Sequence, residues 1–180
     1  MVNKLIISFV AFFTTINFSL AQAPPDFSAE CKQELKKLNS FVGNWKGEAT
    51  YMRGPGSEVS INQEEKIEYK LDGTTLMIEG TGRDAAGDIA FNAMGIVNYN
   101  VNSKQFKFKT YLKDGRSTDA YFNITGENTY EWGFDIPGGG KSKYTIIIDP
   151  VHKTWNEKGE YSSDGNNWFA FMELKLKKVE

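Results

Sequence analysis

From Gly43 onward the chain alternates between apolar and polar residues with a period of two, and it keeps that period almost to its end. Successive side chains of a strand point to opposite faces, so this alternation predicts half-buried strands. Ten are placed: Asn44–Arg53, Ser57–Leu71, Thr74–Arg83, Asp88–Tyr99, Lys104–Leu112, Arg116–Thr125, Thr129–Ile136, Lys141–Ile148, Thr154–Ser162 and Asn167–Lys178. Asp72-Gly73, Asp114-Gly115 and Asp164-Gly165 mark tight hairpins, because Asp-Gly supplies the positive φ that two-residue turns need. Ten strands joined by short turns form a meander. A meander of this length has to curl or close, since open edges invite pairing with other chains. The expected fold class is all-β: an antiparallel up-and-down barrel, lipocalin-like, of about ten strands. A two-sheet sandwich is the second architecture considered.

Before Gly43 the pattern differs. Ser28–Asn39 has Leu35 and Leu38 three apart among Lys and Glu, with Ser28 able to cap it. This is the one helical stretch, placed across an end of the barrel. Further upstream, Lys4 is followed by an apolar run from Leu5 to Phe18 and by small residues at Ser19 and Ala21. That is the layout of a secretory signal peptide. The expected organisation is residues 1–21 as signal, 22–27 as linker and 28–180 as a single barrel domain. The location that follows is the periplasm or the exterior. The run is too short for a membrane span, and Pro24-Pro25-Asp26 follows it.

The hairpin registers convert alternation into facing. Across Asp72-Gly73, Leu71 pairs with Thr74, Tyr69 with Leu76, Ile67 with Ile78, Glu65 with Gly80 and Gln63 with Gly82. The inward face is then Val59, Ile61, Gln63, Glu65, Ile67, Tyr69 and Leu71, clean except at Gln63 and Glu65. Across Asp164-Gly165, Tyr161 pairs with Trp168, Gly159 with Ala170, Glu157 with Met172 and Trp155 with Leu174, so Glu157 is the polar break there. This register turns Phe169 and Phe171 outward, where they mark either a dimer contact or a surface covered by the helix. Many inward positions are small: Gly47, Ala49, Gly80, Gly82, Ala93, Gly95, Gly159 and Ala170. Small residues beside unpaired polar groups suggest a hollow interior, because buried carboxylates need partners from ligand, water, Arg53 or a tyrosine.

Leu38-Asn39-Ser40-Phe41-Val42-Gly43-Asn44-Trp45-Lys46-Gly47-Glu48 resembles the entry motif of the calycin group, in which a helix leads to Gly-x-Trp on the first strand. The longer form, with Gly54-Pro55-Gly56, Leu71-Asp72-Gly73-Thr74-Thr75-Leu76, Gly95 before Tyr99 and Met172-Glu173, is similar to a bacterial lipocalin-like family of unknown function. The resemblance implies the barrel and an interior site, and no assigned reaction. In lipocalins a basic residue of the last strand packs over the Gly-x-Trp indole; Lys175, Lys177 and Lys178 are available for that place, and no arginine is.

Composition narrows the chemistry. A net charge of −2 offers no footprint for nucleic acid. One cysteine, Cys31, precludes an intrachain disulfide, and one histidine, His152, argues against a zinc site of the usual composition. Haem-binding barrels with a similar Gly-x-Trp-x-Gly opening are the alternative cofactor reading, but His152 sits in a turn. Tyr51, Tyr69, Tyr144 and Tyr161 would be the other haem ligands. Glu65 and Glu157 are the only pair suited to acid–base catalysis, and no catalytic residue or cofactor is assigned. The expected function is binding a small hydrophobic or amphipathic molecule within the barrel. The candidate lining is Trp45, Tyr51, Gln63, Glu65, Tyr69, Trp132, Glu157 and Trp168, with Trp45 doubling as a plug under the helix. A protein-interaction module with a filled core is the third class.

Overall fold

The computed structural model describes residues 24–54 and 56–179, apart from the side chain of Arg53. The expected signal peptide lies outside the described residues, as do Pro55 and any contact Arg53 makes. Ten strands form: β1 (Gly43–Gly54), β2 (Ser57–Lys70), β3 (Thr75–Arg83), β4 (Ile89–Asn100), β5 (Gln105–Leu112), β6 (Ser117–Gly126), β7 (Thr129–Asp135), β8 (Lys141–Asp149), β9 (Thr154–Ser162) and β10 (Phe169–Val179). Each pairs antiparallel with its neighbours in sequence, and β1 also pairs with β10. The barrel is therefore closed, and no strand offers a free edge.

Closure brings β1 and β10 very near each other at Gly47. A Cβ at that position would lie 2.0 Å from the Lys175 carbonyl oxygen. The core is built from the inward residues of every strand, among them Ile61, Leu76, Val97, Phe122, Ile146 and Leu174.

Helix α1 (Ser28–Leu35) runs on into a 3-10 turn at Lys36–Phe41. Ser28 is its first helical residue rather than its cap. The Ser28 N–H donates to Asp26 Oδ1 at 2.8 Å, so the chain entry is held by the acid two residues earlier. Leu35, Leu38 and Phe41 are fully buried and plug one end of the barrel. The plug is fastened by Tyr130 Oη to Ser40 Oγ (2.8 Å), by Tyr69 Oη to the Leu35 carbonyl (3.0 Å) and Asn39 Oδ1 (2.5 Å), and by the Lys32–Asp72 and Lys104–Glu30 ion pairs. The exposed ion pairs add little; the apolar residues carry the packing. Lys178 Nζ lies over the Trp45 ring at 5.3 Å, so a lysine takes the place for which the chain has no arginine.

The β2–β3 register is the expected one, with Tyr69 opposite Leu76, Glu65 opposite Gly80 and Gln63 opposite Gly82. The connection is longer, however. Leu71, Asp72 and Gly73 all have positive φ, and Leu71 is solvent-exposed rather than inward. The β9–β10 hairpin departs further. Gly159 faces Met172, Glu157 faces Leu174 and Trp155 faces Leu176, two residues beyond the expected register. Asp164 holds a broad loop instead of a two-residue turn: its Oδ1 accepts from the backbone N–H of Asn166 and Asn167 at 2.8 Å each. A β-bulge between Ala170 and Met172 then inserts Phe171. Phe171 consequently packs inward on Tyr144, while Phe169 stays 65 % exposed. The helix covers neither, because it seals the opposite end of the barrel.

Candidate functional site

The unplugged end opens into the barrel. A cavity of about 540 Å³ runs inward from the loops around Arg116 and Pro137 to Phe41 and Trp155 beneath the helix. Its walls are mostly aromatic. Trp132 and Tyr144 are direct cross-strand partners on β7 and β8, and their rings stack at 3.8 Å with an interplanar angle of 3°. Phe134 continues the stack, and Phe108 meets the Trp132 indole edge-on at 5.1 Å.

The small residues have a more specific task than leaving empty space. A Cβ at Gly95 would come within 2.6 Å of the Phe108 ring, and one at Gly159 within 3.0 Å of Tyr144. At Gly80 it would meet Glu65 Oε1 at 2.7 Å, and at Gly82 it would meet Gln63 Oε1 at 2.6 Å. Each glycine seats a larger side chain from the next strand. The glycines of β3 let two polar side chains of β2 lie down against the wall.

The polar breaks expected from the sequence, Gln63, Glu65 and Glu157, all lie in that wall, and Thr110, Arg116, Ser117 and Thr118 line it too. Glu157 accepts from two indoles, Trp132 Nε1 at 2.9 Å and Trp155 Nε1 at 3.2 Å. Glu65 accepts from Gln63 Nε2 at 2.7 Å. Gln63 is only 2 % exposed, and its Oε1 has no hydrogen-bond partner among the described residues. Burial pushes the Glu65 carboxyl up to about 8, against the opposing Gln63 hydrogen bond, with repulsion from Glu157 adding to the rise. Burial likewise pushes Glu157 up to about 7, with the two indole N–H groups working in the other direction. The Tyr51 phenol is driven upward by desolvation and then by the charges of Glu157 and Glu65; Tyr144 is raised to about 12 by desolvation and Glu157. The two carboxyls thus share one cavity and exchange protons near neutral pH, a property useful for acid–base work or for balancing a ligand's charge.

Of the eight residues singled out from the sequence, Tyr51, Gln63, Glu65, Trp132 and Glu157 line the cavity. Trp45, Tyr69 and Trp168 do not. Trp45 is 1 % exposed, donates to the Phe41 carbonyl at 2.7 Å and belongs to the plug. Tyr69 lies at the same closed end, bonded to the helix. Trp168 precedes β10 and sits outside the barrel under Lys143 Nζ, 4.3 Å from its ring centroid, because the long loop and the bulge displace it from the inward series. Phe108, Phe134 and Tyr144 also line the cavity, each on the same parity as the apolar neighbour two residues away, Phe106, Trp132 and Ile146. Phe171 carries no such signal, since only the bulge turns it in.

His152 is exposed in the β8–β9 turn and bonded to Asp149, so it cannot serve as an axial ligand in this cavity. Tyr51 and Tyr144 are the phenols that face it; Tyr69 and Tyr161 are not among the lining residues. Among the described residues no helix is long and apolar enough to cross a membrane.

No protein-family model and no curated protein matches this sequence. Among the solved structures that resemble the barrel are two of similar extent. The crystal structure of Rv2717c from M. tuberculosis superposes with a TM-score of 0.59 at 12 % identity, covering 81 % of this chain and 97 % of that one. The S-type phycobiliprotein lyase CPES from Guillardia theta superposes with a TM-score of 0.56 at 9 % identity, covering 87 % and 98 % respectively. At these identities the likeness is one of fold alone, that of a calycin-like barrel.

Proposed function

We propose that this chain is an exported small-molecule-binding protein that holds a mainly apolar ligand inside the barrel. The observation that carries the reading is the cavity of about 540 Å³, open at one end and walled by stacked aromatic rings. Its volume falls within the span of roughly 300–1,000 Å³ typical of small-ligand sites, and a few placed polar groups among apolar walls are what such sites use for orientation. Closure by hydrogen-bonded strands and a packed plug keeps the walls rigid, so the site is preformed and little ordering cost falls on binding.

Fluorescence titration of the purified chain with the dye ANS tests the reading, with Ala93→Trp as the comparison. Ala93 lines the cavity opposite Gly80 and Leu112, and an indole there fills the space. One-to-one dye binding that disappears in the variant, with the far-UV spectrum unchanged, supports an interior site. Equal binding by both proteins would remove it. Export is tested separately by expressing the full chain: loss of residues 1–21 from the protein recovered outside the cytoplasm supports it, and retention of the intact N-terminus contradicts it.

A further inference from the structure

We infer that the cavity selects an apolar ligand carrying a protonated nitrogen with N–H donors, that is, a hydrophobic amine or related organic cation. This deepens the binding function proposed above and rests on it.

Three side chains of the wall, Glu65, Glu157 and Gln63, turn acceptor oxygens toward its interior, alongside the hydroxyls of Tyr51, Thr110, Ser117 and Thr118. Two carboxylates, Glu65 and Glu157, face one cavity, and the buried Gln63 Oε1 beside them lacks any partner. Three N–H donors already hold the two carboxyls. Gln63 Nε2 is directed at Glu65 Oε1, and the Trp132 and Trp155 indoles each donate to one oxygen of Glu157. Hydrogen bonds of this kind favour the ionised carboxylate. Burial acts the other way and leaves both groups titrating near neutral pH, so that a bound cation draws them to the ionised form.

An ionised carboxylate in an apolar chamber is stabilised by a counter-charge. Among the described residues the one cationic side chain lining the cavity is Arg116. It stands at the mouth and is engaged by Asp114, through Nε at 2.9 Å and Nη2 at 2.7 Å. The charge that balances the carboxylates is therefore assigned to the ligand. The surrounding walls suit a cation as well. The aromatic residues that line the cavity, Phe91, Phe134 and Trp132 among them, supply π-electron density toward a cation and apolar contact for the ligand's body. An anionic ligand such as a fatty acid would meet two carboxyls and no available cation beyond the mouth.

The test uses three probes of one size and different charge: n-decylamine, n-decanol and n-decanoate, titrated into the mature chain at pH 7.5 and followed by Trp fluorescence and calorimetry. Decylamine is expected to bind at least ten-fold more tightly than decanol, with decanoate weakest. The near-isosteric variants Glu65→Gln and Glu157→Gln keep the shape and one acceptor oxygen each while removing the charge. Each is expected to cut the amine's advantage several-fold, and the double variant to bring the amine to the level of decanol. Far-UV spectra and dye binding establish that the variants are folded and hollow. Decanol or decanoate binding as tightly as decylamine would overturn the inference while leaving the cavity's binding function intact. An amine preference that survived in the double variant would overturn it too, by placing the charge recognition elsewhere. If none of the three enters and ANS binds the chain and Ala93→Trp alike, the interior-binding function falls along with the inference.

Discussion

Glu65→Gln should flatten the dependence of folding stability on pH. In the native barrel burial raises the Glu65 carboxyl to about 8, whereas the unfolded chain holds it near its ordinary value of 4.5. Between those values the native state binds more protons than the unfolded state. Stability must then fall as pH rises across the window, and it levels off above pH 8, where both states are ionised. The slope is about 1 kcal/mol per pH unit for one fully differential group, so Glu65 alone represents a few kcal/mol over the window. Glu157 adds a similar slope from 4.5 up to about 7. Glutamine keeps an oxygen to accept from Gln63 Nε2 but cannot ionise. Urea unfolding of wild type and variant, followed by Trp fluorescence at pH 5, 6, 7, 8 and 9, isolates the contribution by difference, because every other carboxyl is common to both. The variant should gain on the wild type progressively from pH 5 to pH 8. Parallel stability curves would refute the reasoning, since they would mean that Glu65 ionises natively as it does in water.

Three further outcomes follow from the geometry. Gly47→Ala should cost several kcal/mol, because its Cβ would lie 2.0 Å from a backbone oxygen of β10 that cannot move without breaking the barrel seam, whereas Gly54→Ala, with nothing within 4 Å, should shift the urea midpoint little. Trp45→Ala should lose about 3–5 kcal/mol through the cavity left under the plug, as read by chemical denaturation. Trp132→Phe removes one of two indole donors to Glu157, so the carboxyl should titrate above 7 in a ¹³C NMR pH series; an unchanged or lower value would show that the indole does not stabilise the ionised form.

Much of the site was legible in the chain because a barrel wall is locally encoded. A residue's face follows from its parity along the strand, so Gln63 and Glu65 stand out as polar breaks in an apolar series without any knowledge of the rest of the molecule. The Asp72-Gly73 connection preserved the expected register even though its loop is longer, and Gln63 and Glu65 therefore faced Gly82 and Gly80 as anticipated. The end of the chain was less legible. A β-bulge adds a residue without any compositional mark, and the one at Phe171 reversed the parity that alternation relies on. Phe171 therefore joined the cavity and Trp168 left it.

What the sequence by itself determined was strand number, the closing helix, the inward parity of β1 through β9 except β6, whose two faces both carry aromatic residues, and the identity of the polar interruptions, all properties of neighbours in sequence. Only the tertiary structure decided what those interruptions do. Trp132 comes from β7 and Trp155 from β9, yet both donate to Glu157, and Glu65 feels Glu157 across strands far apart in the chain. Such meetings depend on barrel closure, strand tilt and the depth of the plug. Desolvation, the cause of both raised carboxyl pKa values, is likewise a property of the closed volume and of no single strand.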